Sequence, residues 1–255
     1  MATIKPPKNG PAILTLDIEV SPHVGSIWGL FDQNVSLAQL RETSTVICWA
    51  AKFHGRTGVE FRSDYHDGHR AHIKRMRDLL DLADVVVGYN QRAYDLKHLN
   101  REISLLGFKP PSPYKVVDLL TEVRRNFKFA SHKLQHVAEQ YGIGEKLKND
   151  GMELWHACVI ENDPAAWNKM RAYNRQDTLL TEKLFDKLRP WLKLPNMALF
   201  VDQSGLVCTG CGSKNIVKRG FAITNAGRYQ RYVCKDCDKF STSPKRLATT
   251  ELRPA

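Results

Sequence analysis

No apolar run in the chain approaches the ~20 residues that a membrane-spanning helix needs, which argues against a membrane partner. The opening stretch "MATIKPPKNGP" lacks the apolar core of a signal peptide, so a cytoplasmic protein is the expectation. Internal repeats and low-complexity tracts are missing too, which leaves an ordinary globular chain. Cysteine is sparse, six in 255 residues. In a cytosolic setting that disfavours a disulfide framework. Cys48 and Cys158 stand alone in apolar surroundings and read as buried thiols. Negative charge is in deficit, 27 Asp and Glu against 38 Lys and Arg. The resulting net charge of +11 points to a polyanionic partner, nucleic acid above all.

The rest of the composition is that of a globular protein, 42% hydrophobic and 25% charged, long enough for one large and one small domain. Residues 12–20, "AILTLDIEV", read as a strand, followed by strands at Ser26–Phe31, Thr45–Phe53 and Val59–Ser63. Apolar spacing predicts a helix over Arg70–Ala83, then a strand in "DVVVGYN", a helix over Ala93–Leu106 stopped by Gly107, and a strand in "YKVVDLL". Helices follow: one N-capped by Ser131 and ending at Gly142, one over Met152–Glu161, and one from Pro164 to about Lys187. This order predicts an α/β domain with a mixed central sheet. The prolines of "RPWLKLPNM" put the boundary after it: residues 1–195 as the large domain, 196–205 as a linker, 206–245 as a small domain and 246–255 as a tail. Residues 206–255 hold ten Lys and Arg against three Asp and Glu, a net +7; the first 205 hold 28 against 24, a net +4.

Asp17 and Glu19 sit two apart in the first strand, so both project to one face, where they repel. Asp95 follows the strand of "VVVGYNQRAYD" in the first turn of a helix, at the sheet edge where α/β sites form. Tyr173 and Asp177 are four apart on a helix, on the face that also carries apolar residues. Taken singly, each has a structural reading: a half-exposed strand, a helix-dipole partner, a paired buried acid. Together, four carboxylates on strand and helix positions fit hard divalent ions such as Mg²⁺ or Mn²⁺.

The three segments resemble the motifs of the DEDD 3′→5′ exonuclease superfamily. "LDIEV" is similar to its D-x-E motif, "NQRAYD" to N-x-x-x-[FY]-D, and "YNRQD" to the tyrosine form of the third motif, which marks the DEDDy branch. "SHKLQHVAEQYGIGEK" also resembles the segment before that third motif in proofreading domains of family B DNA polymerases. The resemblance spans roughly residues 12–188. It implies a ribonuclease H-like fold and a 3′→5′ exonuclease that releases nucleoside 5′-monophosphates. By it, Asp17, Glu19, Asp95 and Asp177 would bind two Mg²⁺ or Mn²⁺, and Tyr173 would orient the attacking water.

Other residues carry weaker readings. Asn90 either bonds substrate or fixes a turn. Arg92, Lys97, Lys133 and Lys146 are either phosphate contacts or solvated charges. Asp118 is either a further acid in the site or a helix cap. The histidines of "HDGHRAH", residues 66–72, fit no good zinc spacing and are expected in a solvated loop leading into a helix.

Cys208, Cys211, Cys234 and Cys237 form C-x2-C-x22-C-x2-C, the spacing of a structural tetrahedral zinc site. A tail of this size has little core, so the metal would supply much of its folding energy. Among these cysteines lie Arg219, Arg228, Tyr229, Arg231 and Tyr232; basic side chains among aromatics suit phosphate contact and base stacking. The segment resembles a zinc ribbon of DNA-associated proteins, which implies nucleic acid, DNA rather than RNA, as partner. A ribbon that binds protein is the alternative. For the whole chain the alternatives are a structure-specific or transposase-like endonuclease, or a non-catalytic nucleic-acid-binding adaptor.

Overall fold

Strand β1, Ile13–Val20, sorts its side chains by alternation. Leu14, Leu16, Ile18 and Val20 join a buried cluster with Trp49, Phe53, Met76 and Leu80. Ile13 enters a second cluster with Leu180, Leu184 and Phe185. Thr15, Asp17 and Glu19 share its face. The computed structural model describes residues 3–145, 151–201 and 205–252. Lys146 and parts of the expected linker and tail lie outside the described residues.

A small two-stranded excursion follows β1: β2 at Val24–Gly25 and β3 at Leu40–Glu42. Strands β4 (Val46–Phe53) and β5 (Glu60–Ser63) extend the sheet antiparallel on one side of β1. Strands β6 (Val85–Gly88) and β7 (Lys115–Asp118) extend it parallel on the other, giving the order β5-β4-β1-β6-β7. The short helix α1 (Asp64–Asp67) leads into α2 (His69–Asp81), and α3 (Asp95–Leu105) follows β6. The apolar faces of α2 and α3 pack on the Leu14–Val20 side. Helices α4 (Leu119–Asn126), α5 (Leu134–Gln140), α6 (Met152–Val159) and α7 (Pro164–Leu188) cover the opposite side. The result is a mixed α/β, ribonuclease H-like architecture. Each fully buried Leu or Phe of these layers contributes roughly 1.5–3 kcal/mol. Among the described residues, no helix is long and apolar enough to cross a membrane.

Three local expectations fail. The strand foreseen at Ser26–Phe31 is absent: only Val24–Gly25 pairs, and Trp28, Leu30 and Phe31 are 97%, 86% and 88% exposed. Apolar composition cannot make a strand where no neighbour offers a hydrogen-bonding edge. Helix α5 begins at Leu134 with Lys133 as cap; Ser131 Oγ accepts the Lys133 N–H at 3.3 Å instead. The "HDGHRAH" histidines are helical rather than in a solvated loop, and His72 is fully buried.

Beyond α7, a 3-10 turn at Met197–Phe200 buries Met197 in the α7 cluster. Strands β8 (Ile216–Thr224), β9 (Gly227–Cys234) and β10 (Phe240–Ala248) form a separate sheet in the order β10-β9-β8. Of their residues only Cys234 is buried, so this sheet has no apolar core. Lys239 Nζ ties it to the large domain by donating to the carbonyls of Pro190 (3.1 Å) and Leu192 (2.6 Å).

Candidate active site and thiolate cluster

Strand β6 pairs with β1 only at Ile13–Thr15, because it ends at Gly88. Past that point the amide edge of β1 is open, and Asp95 fills it: its Oδ1 accepts the Ile18 N–H at 3.3 Å. The acid is thereby fixed beside the residue that separates Asp17 from Glu19. The loop delivering it is equally determined. Gln91, fully buried, donates Nε2 to the carbonyls of Val86 and Val117, both at 3.0 Å, bridging the two parallel strands. A side chain at Gly88 would meet Gln91 Oε1 at 2.6 Å, so glycine is required there. Asn90 has a positive φ of 66°, which asparagine tolerates better than most residues.

Asp118 organises the same loop from below. Its carboxylate accepts the amides of Asn90 (3.1 Å) and Arg92 (3.0 Å), and it caps α4 through the Leu120 N–H at 3.0 Å. Capping is therefore its observed role, joined to a second one in holding the turn. Asn90 is likewise engaged in that turn.

Helix α7 approaches β1 from the other side of the sheet. Asn174, fully buried, donates Nδ2 to Asp17 Oδ2 at 2.7 Å and to the Asp17 carbonyl at 3.2 Å. Thr178 Oγ1 donates to the carbonyl of Ala50, the cross-strand partner of Asp17, at 3.2 Å. Asp177, between them and only 2% exposed, is carried on this face. Tyr173 packs edge-on against Trp155, with ring centroids 6.3 Å apart, and Trp155 Nε1 donates to the Val20 carbonyl at 3.1 Å. The structure thus brings segments 17–19, 95 and 173–177 together. No sequence pattern marks Trp155, whereas Asn174 stands inside "YNRQD", three residues before Asp177.

The electrostatics reflect burial and neighbouring like charge. Burial pushes the Asp95 carboxyl up to about 7, and the nearby charge of Asp118 adds to this. Burial also raises the Cys48 thiol well above its ordinary value, reinforced by Glu19 and Asp17. Among the described residues, metal-type donors gather within 4.8 Å at two places, Cys208/Cys211/Cys234/Cys237 and Asp64/His69/His72. The four acids are more widely spread than that. A pair of ions ~3.5–4 Å apart requires ligands distributed over a wider space than one ion does, and an all-oxygen set suits hard divalent cations.

Two clefts flank β1. One, of about 580 Å³, is lined by Asp17 together with Arg124, His132 and Lys133. The other, of about 530 Å³, is lined by Glu19 with Tyr94, His98 and Trp155. Lys133 is exposed at the first cleft; Arg92 is exposed but donates its guanidinium to the Val116 carbonyl at 2.6 Å.

The four C-terminal thiols converge, with Cys208 and Cys237 Sγ 3.5 Å apart and Cys211 and Cys234 Sγ 3.7 Å apart. Such a set fits one tetrahedral Zn²⁺. The Cys211 and Cys237 thiols hold Cys208 well below the usual thiol range. The Gly210 amide donates to Cys208 Sγ at 3.2 Å, a bond that stabilises negative charge on the sulfur. Alternation along β9 separates the aromatic and basic candidates: Tyr229 and Arg231 lie on one face, Arg228 and Tyr232 on the other. Arg231 stacks on Phe240, with its Nε on the Arg219 carbonyl at 3.0 Å, while Arg228 stacks on Phe221.

Comparison with known proteins agrees with this architecture. DNA polymerase 2 of Aeropyrum pernix is 29% identical over 126 residues, covering 42% of this chain and 16% of that protein. The structure of the family B DNA polymerase from Pyrobaculum calidifontis superimposes with a TM-score of 0.53 at 22% identity, over 74% of this chain and 26% of the polymerase. The chain therefore spans a small part of both relatives. Residues 36–189 match the RNase_H superfamily profile, more than half of the sequence, and the chain belongs to that superfamily.

Proposed function

We propose that the chain is a metal-dependent 3′→5′ exonuclease of the DEDDy type that hydrolyses nucleic-acid phosphodiester bonds, DNA in preference to RNA. The observation that carries this reading is the convergence on β1: Asp95 on the Ile18 amide and Asn174 on Asp17. Asp17, Glu19, Asp95 and Asp177 would hold two Mg²⁺ or Mn²⁺. When bound, such ions lower the pKa of the attacking water and neutralise the charge that builds on phosphate. The residues around them do the rest. Asn174 holds the Asp17 carboxylate through Oδ2. Tyr173 orients the water through its hydroxyl. Arg124 and Lys133 offer cations to the substrate's phosphates along the cleft beside Asp17. Residues 206–245 act as a zinc ribbon held by Cys208, Cys211, Cys234 and Cys237, with Tyr229 and Arg231 on one face available for the strand.

The test is digestion of 5′- and 3′-labelled DNA and RNA, single- and double-stranded, with Mg²⁺ or Mn²⁺. Mononucleotides released first from the 3′ end are expected, with circular DNA left intact and Asp17→Ala protein inactive. Cleavage of the circle, or full activity in the Asp17→Ala variant, overturns the proposal.

A further inference from the structure

The second gathering of metal-type donors lies away from the carboxylate site, where β5, α1, α2 and α3 meet. Asp64 opens α1, and its Oδ1 receives two imidazoles at once: His69 Nδ1 at 2.9 Å and His72 Nε2 at 2.7 Å. His69 and His72 are three residues apart on α2, so one face of its first turn presents both rings. Sequence spacing concealed the set because the third ligand precedes the histidines in α1. His66, which completed the apparent motif, is engaged elsewhere, with Nδ1 on Ser63 Oγ at 2.7 Å.

His69 is held as a ligand is held, and His72 is fixed by burial and by its backbone, its Nδ1 having no hydrogen-bond partner among the described residues. His72 has no exposed side-chain surface, and its carbonyl is anchored by the Trp49 indole N–H at 3.0 Å. The outer nitrogen of His69, Nε2, faces Glu102 Oε2 at 3.2 Å. Glu102 Oε1 is taken by Arg101 at 2.6 Å. A carboxylate behind an imidazole is the usual outer support of a metal-bound histidine, fixing its tautomer and its direction. Both ring nitrogens of His69 face carboxylates, as in an imidazolium that donates to each. A metal ion at Nδ1 would replace one of those protons and leave the other on Nε2 for Glu102.

We infer that Asp64, His69 and His72 form a further metal site for a divalent ion of the Zn²⁺ class, with Glu102 as the support behind His69. Two nitrogens and one carboxylate oxygen suit zinc, cobalt or nickel rather than magnesium. Bonds of about 2.0–2.1 Å in a tetrahedral arrangement place ligand atoms about 3.3 Å apart. The contacts to Asp64 therefore widen by about half an ångström on binding. Asp64 and His69 are 31% and 32% exposed, so the ion enters from solvent and water completes its coordination. On binding, the Nδ1 proton of His69 leaves to solvent, and the His72 proton moves from Nε2 to Nδ1. The site clamps the start of α2 to α3, the helix that begins with Asp95.

The experiment uses the full chain in excess Mg²⁺, which keeps the all-oxygen acids occupied with their own class of ion. Zinc per chain is measured after dialysis by elemental analysis, beside a calorimetric zinc titration. Wild type is expected to retain two zinc ions, and the His69→Gln and Asp64→Asn variants one, held by the thiolates. Zinc should raise the Tm of metal-stripped wild type in two separable steps, and that of His69→Gln in one. His72 is buried, so it is left untouched; circular dichroism and an unchanged thiolate-to-Co²⁺ absorption establish that the two variants are folded. One zinc in wild type, or the same stoichiometry in wild type and both folded variants, overturns the assignment.

Discussion

Asn174 reaches Asp17 from a different layer of the protein, 2.7 Å from its Oδ2, and is itself entirely buried. The bond helps to set the orientation of an acid that its strand neighbour Glu19 repels. Asn174→Ala is expected to leave the fold intact and to lower divalent-ion affinity or turnover by about 10–100-fold, the usual loss when a support behind a ligand is removed. A Mn²⁺ titration of nuclease activity measures this. Wild-type dependence on Mn²⁺ would show that Asp17 needs no such support.

Gly88 and Gln91 make a second pair that only one residue type can satisfy. In Gly88→Ala the new methyl would lie 2.6 Å from Gln91 Oε1, so Gln91 must leave its position across Val86 and Val117. Overpacking of this kind costs about 1–3 kcal/mol. Because the "NQRAYD" turn hangs on Gln91, activity should fall with stability, which chemical denaturation and an initial-rate assay read together.

Glu60 gives the acid limb of stability. Its side chain is wholly buried, which alone would raise its pKa. Bonds from Arg75 (2.8 and 2.9 Å), the Ile4 amide (2.8 Å) and Arg62 (3.1 Å) outweigh burial and hold it below the usual carboxylate value. A carboxyl depressed in the folded state stabilises fully above its unfolded value of about 4.3, and that contribution is lost as pH falls through the lower folded value. Glu60→Gln should cost about 1–3 kcal/mol at neutral pH, since it removes the charge that the partly exposed Arg62 and Arg75 guanidiniums face. It should also flatten the loss of stability seen in acid. Urea midpoints from pH 7 down to 3 check both.

The C-terminal sheet buries Cys234 and no other strand residue, so it depends on its thiolate centre. Chelation, or Cys234→Ser, should abolish hydrogen-exchange protection across residues 216–248 while β1 and α7 keep theirs. Protection retained in both would mean that the strands hold themselves together.

Much of this was legible in the chain because the chemistry coincides with short periods. Period two placed Asp17 and Glu19 on one face, and the helical period set Tyr173 and Asp177 one turn apart. What stayed hidden depends on partners distant in sequence. Asp64 stands before a run of histidines that, counted alone, has no ligand spacing. Asn174 is an ordinary helix residue until α7 lies across β1. Trp28, Leu30 and Phe31 imitate a strand by composition, and only the missing neighbour reveals a loop.

Lys239 closes on the carbonyls just beyond the end of α7, and this gives the helix a use as a ruler. From Asp177 to Leu188 is eleven residues, about 16 Å of rigid rise. The carbonyls that Lys239 holds and the Asp177 acid are therefore separated by a fixed span of about three helical turns of α7.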